Sequence, residues 1–174
     1  MFLPDAFQRS SRHPFAIRGS ILLPLALVIL LLAASAALIV PRAQAAQRRS
    51  RAIATITDLR QFAAAFQHYA HEKGDWPETS TAPGAVPAGM EKTLDVSRWQ
   101  KTTPIGGRYV FLTNTRLRGQ RLRAALSIVS VGEDRVSADA RQLETLVQLA
   151  REAGFPPNRL RLGFRQEPFY VMEH

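Results

Sequence analysis

The chain has 174 residues, no cysteine and a formal net charge of +9. Without cysteine there is neither a disulfide framework nor a thiolate metal site, and what remains beyond an apolar N-terminal region is one small domain with room for a modest core. The charge is uneven: residues 1–60 hold eight Arg against two Asp, and the rest holds fifteen Lys or Arg against twelve acids.

Arg9, Arg12 and Arg18 lead into Ile21–Val40, which has no charge and, apart from Ser35, no strongly polar residue. As a helix it would be ~30 Å long, enough to span a bilayer. A secretory signal has a shorter apolar core, and the small-residue sites Ala34-Ser35-Ala36 and Ala43-Gln44-Ala45 come late for its cleavage. Length therefore favours a retained membrane helix over a cleaved signal. Arg42, Arg48, Arg49 and Arg51 follow the run, so basic residues flank it on both sides and charge does not decide its topology.

The helical pattern continues past Pro41, which is expected to kink the rod by removing one backbone donor. Ile56, Leu59, Phe62, Ala63, Phe66, Tyr69 and Ala70 fall in one stripe about 140° wide. The run Lys73 to Pro77 ("KGDWP") then predicts a stop at its Gly. Residues 78–104 read as loop, with a short helical turn at Met90–Asp95. Strands are expected over Gly106–Asn114 and Arg121–Val131, joined by a turn at Arg118-Gly119. In the second, Leu122, Ala124, Leu126 and Ile128 alternate with Arg121, Arg123, Ala125 and Ser127, as in a strand with one face on a core. Ser137–Gly154 predicts a helix capped by Ser137 or Asp139, with Leu143, Leu146, Val147 and Ala150 on one side. Arg159–Arg165 and Phe169–Glu173 predict a closing hairpin about Gln166, Glu167 and Pro168. The expected class is α+β: a long N-terminal helix, transmembrane then amphipathic, packed on a small antiparallel sheet with one additional helix.

Chemistry-bearing residues are sparse. His68 and His71, beside Glu72, lie on the polar face of the amphipathic helix and lack the HExxH order, so they read as solvated. His13 and His174 support no triad. Gly106-Gly107 lacks the Lys-Ser/Thr of a phosphate loop and reads as a turn or a close-packed strand start. Glu133, Asp134 and Asp139 offer hard oxygen ligands of the kind calcium takes, but capping and turn formation use the same residues. Neither a catalytic constellation nor a cofactor is expected. The stronger signal is basic. Arg98 to Arg123 contains seven Lys or Arg and no acid. If the strand carrying Arg159, Arg161 and Arg165 neighbours Arg121 and Arg123, the sheet presents an anion-binding stripe able to track nucleic-acid phosphates.

In layout the chain resembles a type IV pilin-like protein, in particular the pseudopilins of type II secretion systems. The resemblance rests on the basic leader ending at Arg18-Gly19, the apolar run, Pro41, "HEKGDWP" and "TTPIGGRYVF". It implies a leader 1–19 removed by a prepilin peptidase between Gly19 and Ser20, a transmembrane helix 20–41, its amphipathic continuation 42–75 and a small α+β domain 76–174. It further implies a non-enzymatic subunit anchored once in the inner membrane, its soluble domain on the periplasmic side. Its partners would be other pilin-like subunits and inner-membrane assembly proteins. Pro41 would be the twenty-second mature residue, where the family carries its kink, and Pro24 the fifth, where the family carries Glu. That Glu is thought to pair with a neighbour's N-terminal ammonium in the apolar filament core. Its replacement implies a minor subunit, and a DNA-capturing minor pilin or an unrelated single-pass protein with a soluble binding domain is the alternative.

Overall fold

Leucine- and alanine-rich sequence from Leu22 onward favours helix at nearly every position, and the chain forms one. A computed structural model describes residues 22–137, 139–157, 159–163 and 165–173. Helix α1 runs from Leu22 to Lys73 with Pro41 inside it. It ends where Gly74, at φ 82, turns left-handed and donates its N–H to the carbonyl of Ala70 at 2.9 Å, the glycine stop that "KGDWP" predicts. The chain divides into two units between Ala43 and Gln44.

In the first unit the described part of α1 is bare. Leu23, Leu25, Leu27, Val28, Ile29, Leu30, Leu31 and Leu32 are all more than half exposed. The hydroxyl of Ser35 donates to the carbonyl of Leu31 at 2.8 Å, so the one polar side chain of this run is satisfied within its own helix.

In the second unit α1 buries Ala52, Thr55, Ile56, Leu59, Phe62, Ala63 and Phe66. The expected stripe is the buried one, with Tyr69 and Ala70 half-buried at its end. Phe62 meets Tyr109 edge-on at 4.8 Å and Trp99 at 5.1 Å, and Phe66 stacks on Phe111 at 4.2 Å. Such aromatic pairs add about 0.5–1.5 kcal/mol each beyond the area they bury. Trp99 closes α2 (Val96–Trp99), which begins after the expected turn at Met90–Asp95. The Asp95 carboxylate accepts from the N–H of Arg98 at 3.1 Å. As N-cap, Asp95 must stay non-helical, and this sets the start one residue beyond it.

Strands β1 (Arg108–Leu117) and β2 (Gln120–Val129) form a hairpin in which Leu117 faces Gln120. Arg118 at φ 48 and Gly119 at φ 83 fill its two-residue turn, both left-handed as the strand twist requires. β1 starts later than expected because Gly106 and Gly107 also have positive φ and pack against backbone. A Cβ on Gly106 would lie 2.0 Å from the carbonyl oxygen of Arg135, a close approach that only glycine permits. Helix α3 (Ala140–Glu152) is capped by Asp139, which accepts from the N–H of Arg141 at 3.0 Å. It buries Leu143, Leu146 and Ala150, with Val147 half-buried.

The closing hairpin pairs β3 (Leu160–Leu162) with β4 (Pro168–Glu173). Pro168 opens the strand, where its missing N–H is tolerated, instead of lying in the turn. The sheet is antiparallel in the order β1-β2-β4-β3. The α+β class is as expected, but the single-faced reading of β2 is corrected. Ala124, Leu126 and Ile128 join the main core with Phe62 and Phe111, whereas Leu122 joins Leu117, Ala125 and Val171 in a second small cluster. Asn114, at φ 50, interrupts the pairing between Thr113↔Ala124 and Thr115↔Leu122, and the β2–β4 register shifts between Ala124 and Ala125. Such irregularities break the strict two-residue alternation on which a one-face assignment depends.

Candidate functional site: an apolar helix and basic surfaces

Among the described residues α1 is the one helix long and apolar enough to cross a membrane by length and composition, with a mean hydropathy of 2.8 over its most apolar window. Pro24 lies in its first turn, where first-turn N–H groups have no intrahelical partner. It is exposed and, with Leu23, Ala26, Leu27 and Leu30, lines a wholly aliphatic notch. Pro41 is exposed and helical residues continue on both sides of it. The expected cleavage pair Gly19 and Ser20 lies outside the described residues, as do His13, Phe164 and His174.

The arginine stripe is not assembled as expected. β4 lies between β2 and β3, and β3 holds only Arg161 of its three expected arginines. Arg123 pairs with Glu173 at 2.7 Å and approaches Asp75 at 4.0 Å. Arg159 donates to the carbonyl of Met172 at 2.6 Å, and Arg161 donates to the Gln120 side-chain carbonyl. Two of the five candidates, Arg123 and Arg159, therefore serve mainly to fasten β4. Arg121 and Arg165 remain exposed, together with Arg116 and Arg118 of the same basic run. Among the described residues these four form no ion pair. Arg116, Arg118 and Arg165 line a cleft of about 380 Å³ with Leu117, Phe169 and Glu167, and Arg121 faces Arg116 across the hairpin. Like charges placed directly opposite oppose strand pairing, so this hairpin tip carries repulsion that an anion would relieve.

The acids also take specific places. Asp134 binds Arg108 at 2.9 Å, which with a further hydrogen bond from Thr102 holds its carboxyl below the usual range. Asp139 caps α3. Among the described residues no cluster of His, Asp or Glu is arranged to hold a metal ion, and His68 and His71 are exposed.

One site had no signal in the sequence. Asp58, on the polar side of α1, accepts a hydrogen bond from the Tyr109 hydroxyl at 3.0 Å and lies 3.5 Å from the Arg98 guanidinium. Arg98 also donates to Gln61 at 2.7 Å. Burial raises the Asp58 pKa, against the lowering effect of Tyr109 and Arg98. Burial, and then the neighbouring carboxylate, push the Tyr109 phenol far above its ordinary value. A neutral phenol and a paired carboxylate bind α1 to β1 and α2, an arrangement suited to fixing geometry and not to proton transfer near neutral pH. No protein-family model matches the chain, and no curated protein matches it.

Proposed function

We infer that the protein is a membrane-anchored, pilin-like subunit of a type II secretion or type IV pilus-like assembly, acting as a minor subunit and not as an enzyme. The observation that carries this reading is α1: its first part presents apolar side chains around its whole circumference, and its later part buries one stripe under a four-stranded antiparallel sheet. An aliphatic surface of that kind is stable in lipid or against other apolar helices. On this reading a prepilin peptidase removes 1–19 and the helix remains in the inner membrane. The domain faces the periplasm, and partner subunits pack along α1. Pro24 supplies no carboxylate for a neighbouring ammonium, which suits a subunit at a tip or in an initiating complex better than one repeated along a lattice.

Intact-mass measurement of membrane-extracted protein tests this: a mature chain beginning at Ser20 is expected, and one beginning at Met1, Ala37 or Ala46 overturns the reading. A second reading, capture of nucleic acid, is favoured by the exposed Arg116, Arg118 and Arg121 at the hairpin tip and Arg165 in the cleft beside it. It is secondary because, among the described residues, no aromatic side chain other than half-buried Phe169 lines that cleft, and single-strand capture draws on exposed stacking surfaces.

A further inference from the structure

Two of the basic residues that follow the apolar run, Arg48 and Arg51, line a separate cleft. No acid occurs between Ile21 and Thr57, while Arg42, Arg48, Arg49 and Arg51 all fall there. In the second unit the Gln142 side chain donates to the carbonyl of Arg48 at 3.1 Å, which brings the first turn of α3 against this stretch of α1. Gln44, Gln47, Arg48, Arg51, Ser137, Asp139 and Gln142 line the resulting polar cleft of about 310 Å³. Arg49, Arg51 and Arg141 are exposed and Arg48 is half-buried. Among the described residues none of the four forms an ion pair. The one carboxylate in the cleft, Asp139, is engaged as the cap of α3.

We propose that Arg48 and Arg51, which line this cleft, together with the exposed Arg49 and Arg141, bind anionic headgroups of the membrane that α1 enters. Guanidinium groups suit phosphate because their planar forks donate paired hydrogen bonds. In sequence Arg48, Arg49 and Arg51 follow closely on the apolar run that ends at Val40, the position from which basic residues next to a membrane helix meet the surface potential of an anionic leaflet. Among the described residues the cleft is lined by no aromatic side chain for stacking on a base and no apolar anchor for a protein hot spot, so headgroups fit it better than either. Each arginine near such a surface strengthens association about fivefold.

The inference rests on the membrane-anchored part of the proposed function and not on its pilin-like part. Full-length protein in detergent micelles would be titrated with phosphatidylglycerol or phosphatidylcholine, and bound lipids counted by native mass spectrometry. The wild type should retain phosphatidylglycerol at least about tenfold better. R49Q/R51Q/R141Q, which alters only exposed side chains without ion pairs, should lower the ratio to about fivefold or less, the share of the one remaining arginine. R116Q/R118Q/R121Q should leave it unchanged. Equal retention of the two lipids by the wild type, an undiminished preference in R49Q/R51Q/R141Q, or a loss in the hairpin variant instead would each overturn the proposal. So would a short DNA duplex that binds the micellar protein more tightly than phosphatidylglycerol and is lost only in R49Q/R51Q/R141Q, since the surface would then belong to nucleic acid. Alkaline extraction of membranes reports separately on the anchor: release of the protein there defeats the anchored reading whatever the lipid ratio.

Discussion

Leu23–Leu32 and Ala52–Phe66 belong to one helix, yet they use their apolar side chains in opposite ways. In the first stretch large aliphatic residues stand on every side and are 51–80% exposed. In the second, Ala52, Ile56, Leu59, Phe62, Ala63 and Phe66 are at most 5% exposed, and Arg60, Gln61, Ala64 and Gln67 separate them on the outside. A helix takes the pattern of its surroundings: a uniform apolar medium asks for no particular face, whereas a protein core on one side and water on the other select a stripe. The stripe also needs matching partners. Phe62 has Trp99 and Tyr109, and Phe66 has Phe111, while the first stretch has none among the described residues of its own unit.

The comparison breaks most sharply at Phe62. Replacing it by Ala should destabilise the domain by about 3–5 kcal/mol, the usual range for a large core aromatic. Leu30→Ala, in the exposed stretch, should leave the unfolding midpoint where it was. Denaturant titration of the full chain in detergent, followed by tryptophan fluorescence, would compare the two, and equal losses would contradict the division of labour along α1. The converse experiment places a charge in the exposed stretch. Leu30→Arg should disfavour membrane insertion by about 3 kcal/mol and shift the protein into the alkali-extractable fraction, while the domain unfolds as before. Full membrane retention of that variant would weaken the assignment of Leu22–Val40 to the bilayer.

The smallest expected effect concerns Asp58. Its folded pKa is raised above the ordinary 3.8, with desolvation the largest cause. Between the unfolded and folded values the native state binds more protons, so this group's contribution to stability falls as pH rises through that window and is recovered as pH drops. Asp58→Asn removes the titration. The melting temperature of wild type relative to Asp58→Asn should therefore rise as the pH is lowered from 7 toward 4. A difference that stays flat, or moves the other way, would mean that Tyr109 and Arg98 outweigh desolvation at this carboxylate. Asp95 and Asp134 act in the opposite direction in both proteins, because hydrogen bonds lower their pKa values, and they cancel in the comparison.

The basic candidates show where reading residues in order stops being informative. The acid-free run from Arg98 to Arg123 was visible as charge, but its separation into fasteners and free cations was not. Arg123 finds Glu173 and Asp75, far from it in sequence, and Arg159 finds backbone carbonyls of β4. The polar contact of Gln142 with Arg48 joins positions 94 residues apart, and nothing local in either segment announces it.

What the sequence determined by itself was whatever depends on near neighbours. The extent of α1, its stop at Gly74 and the turn at Arg118-Gly119 each follow from propensity, periodicity or one left-handed position. Tertiary structure decided the rest. The order β1-β2-β4-β3 inserts β4 between the strands whose arginines were expected side by side. The interruption at Asn114 and the register shift at Ala124/Ala125 accompany the move of Leu122 into a second cluster. Tyr109 reaches Asp58 across 51 positions. These features depend on which segments meet after the chain has collapsed, and a one-residue change of register or one interposed strand reassigns every side chain beyond it.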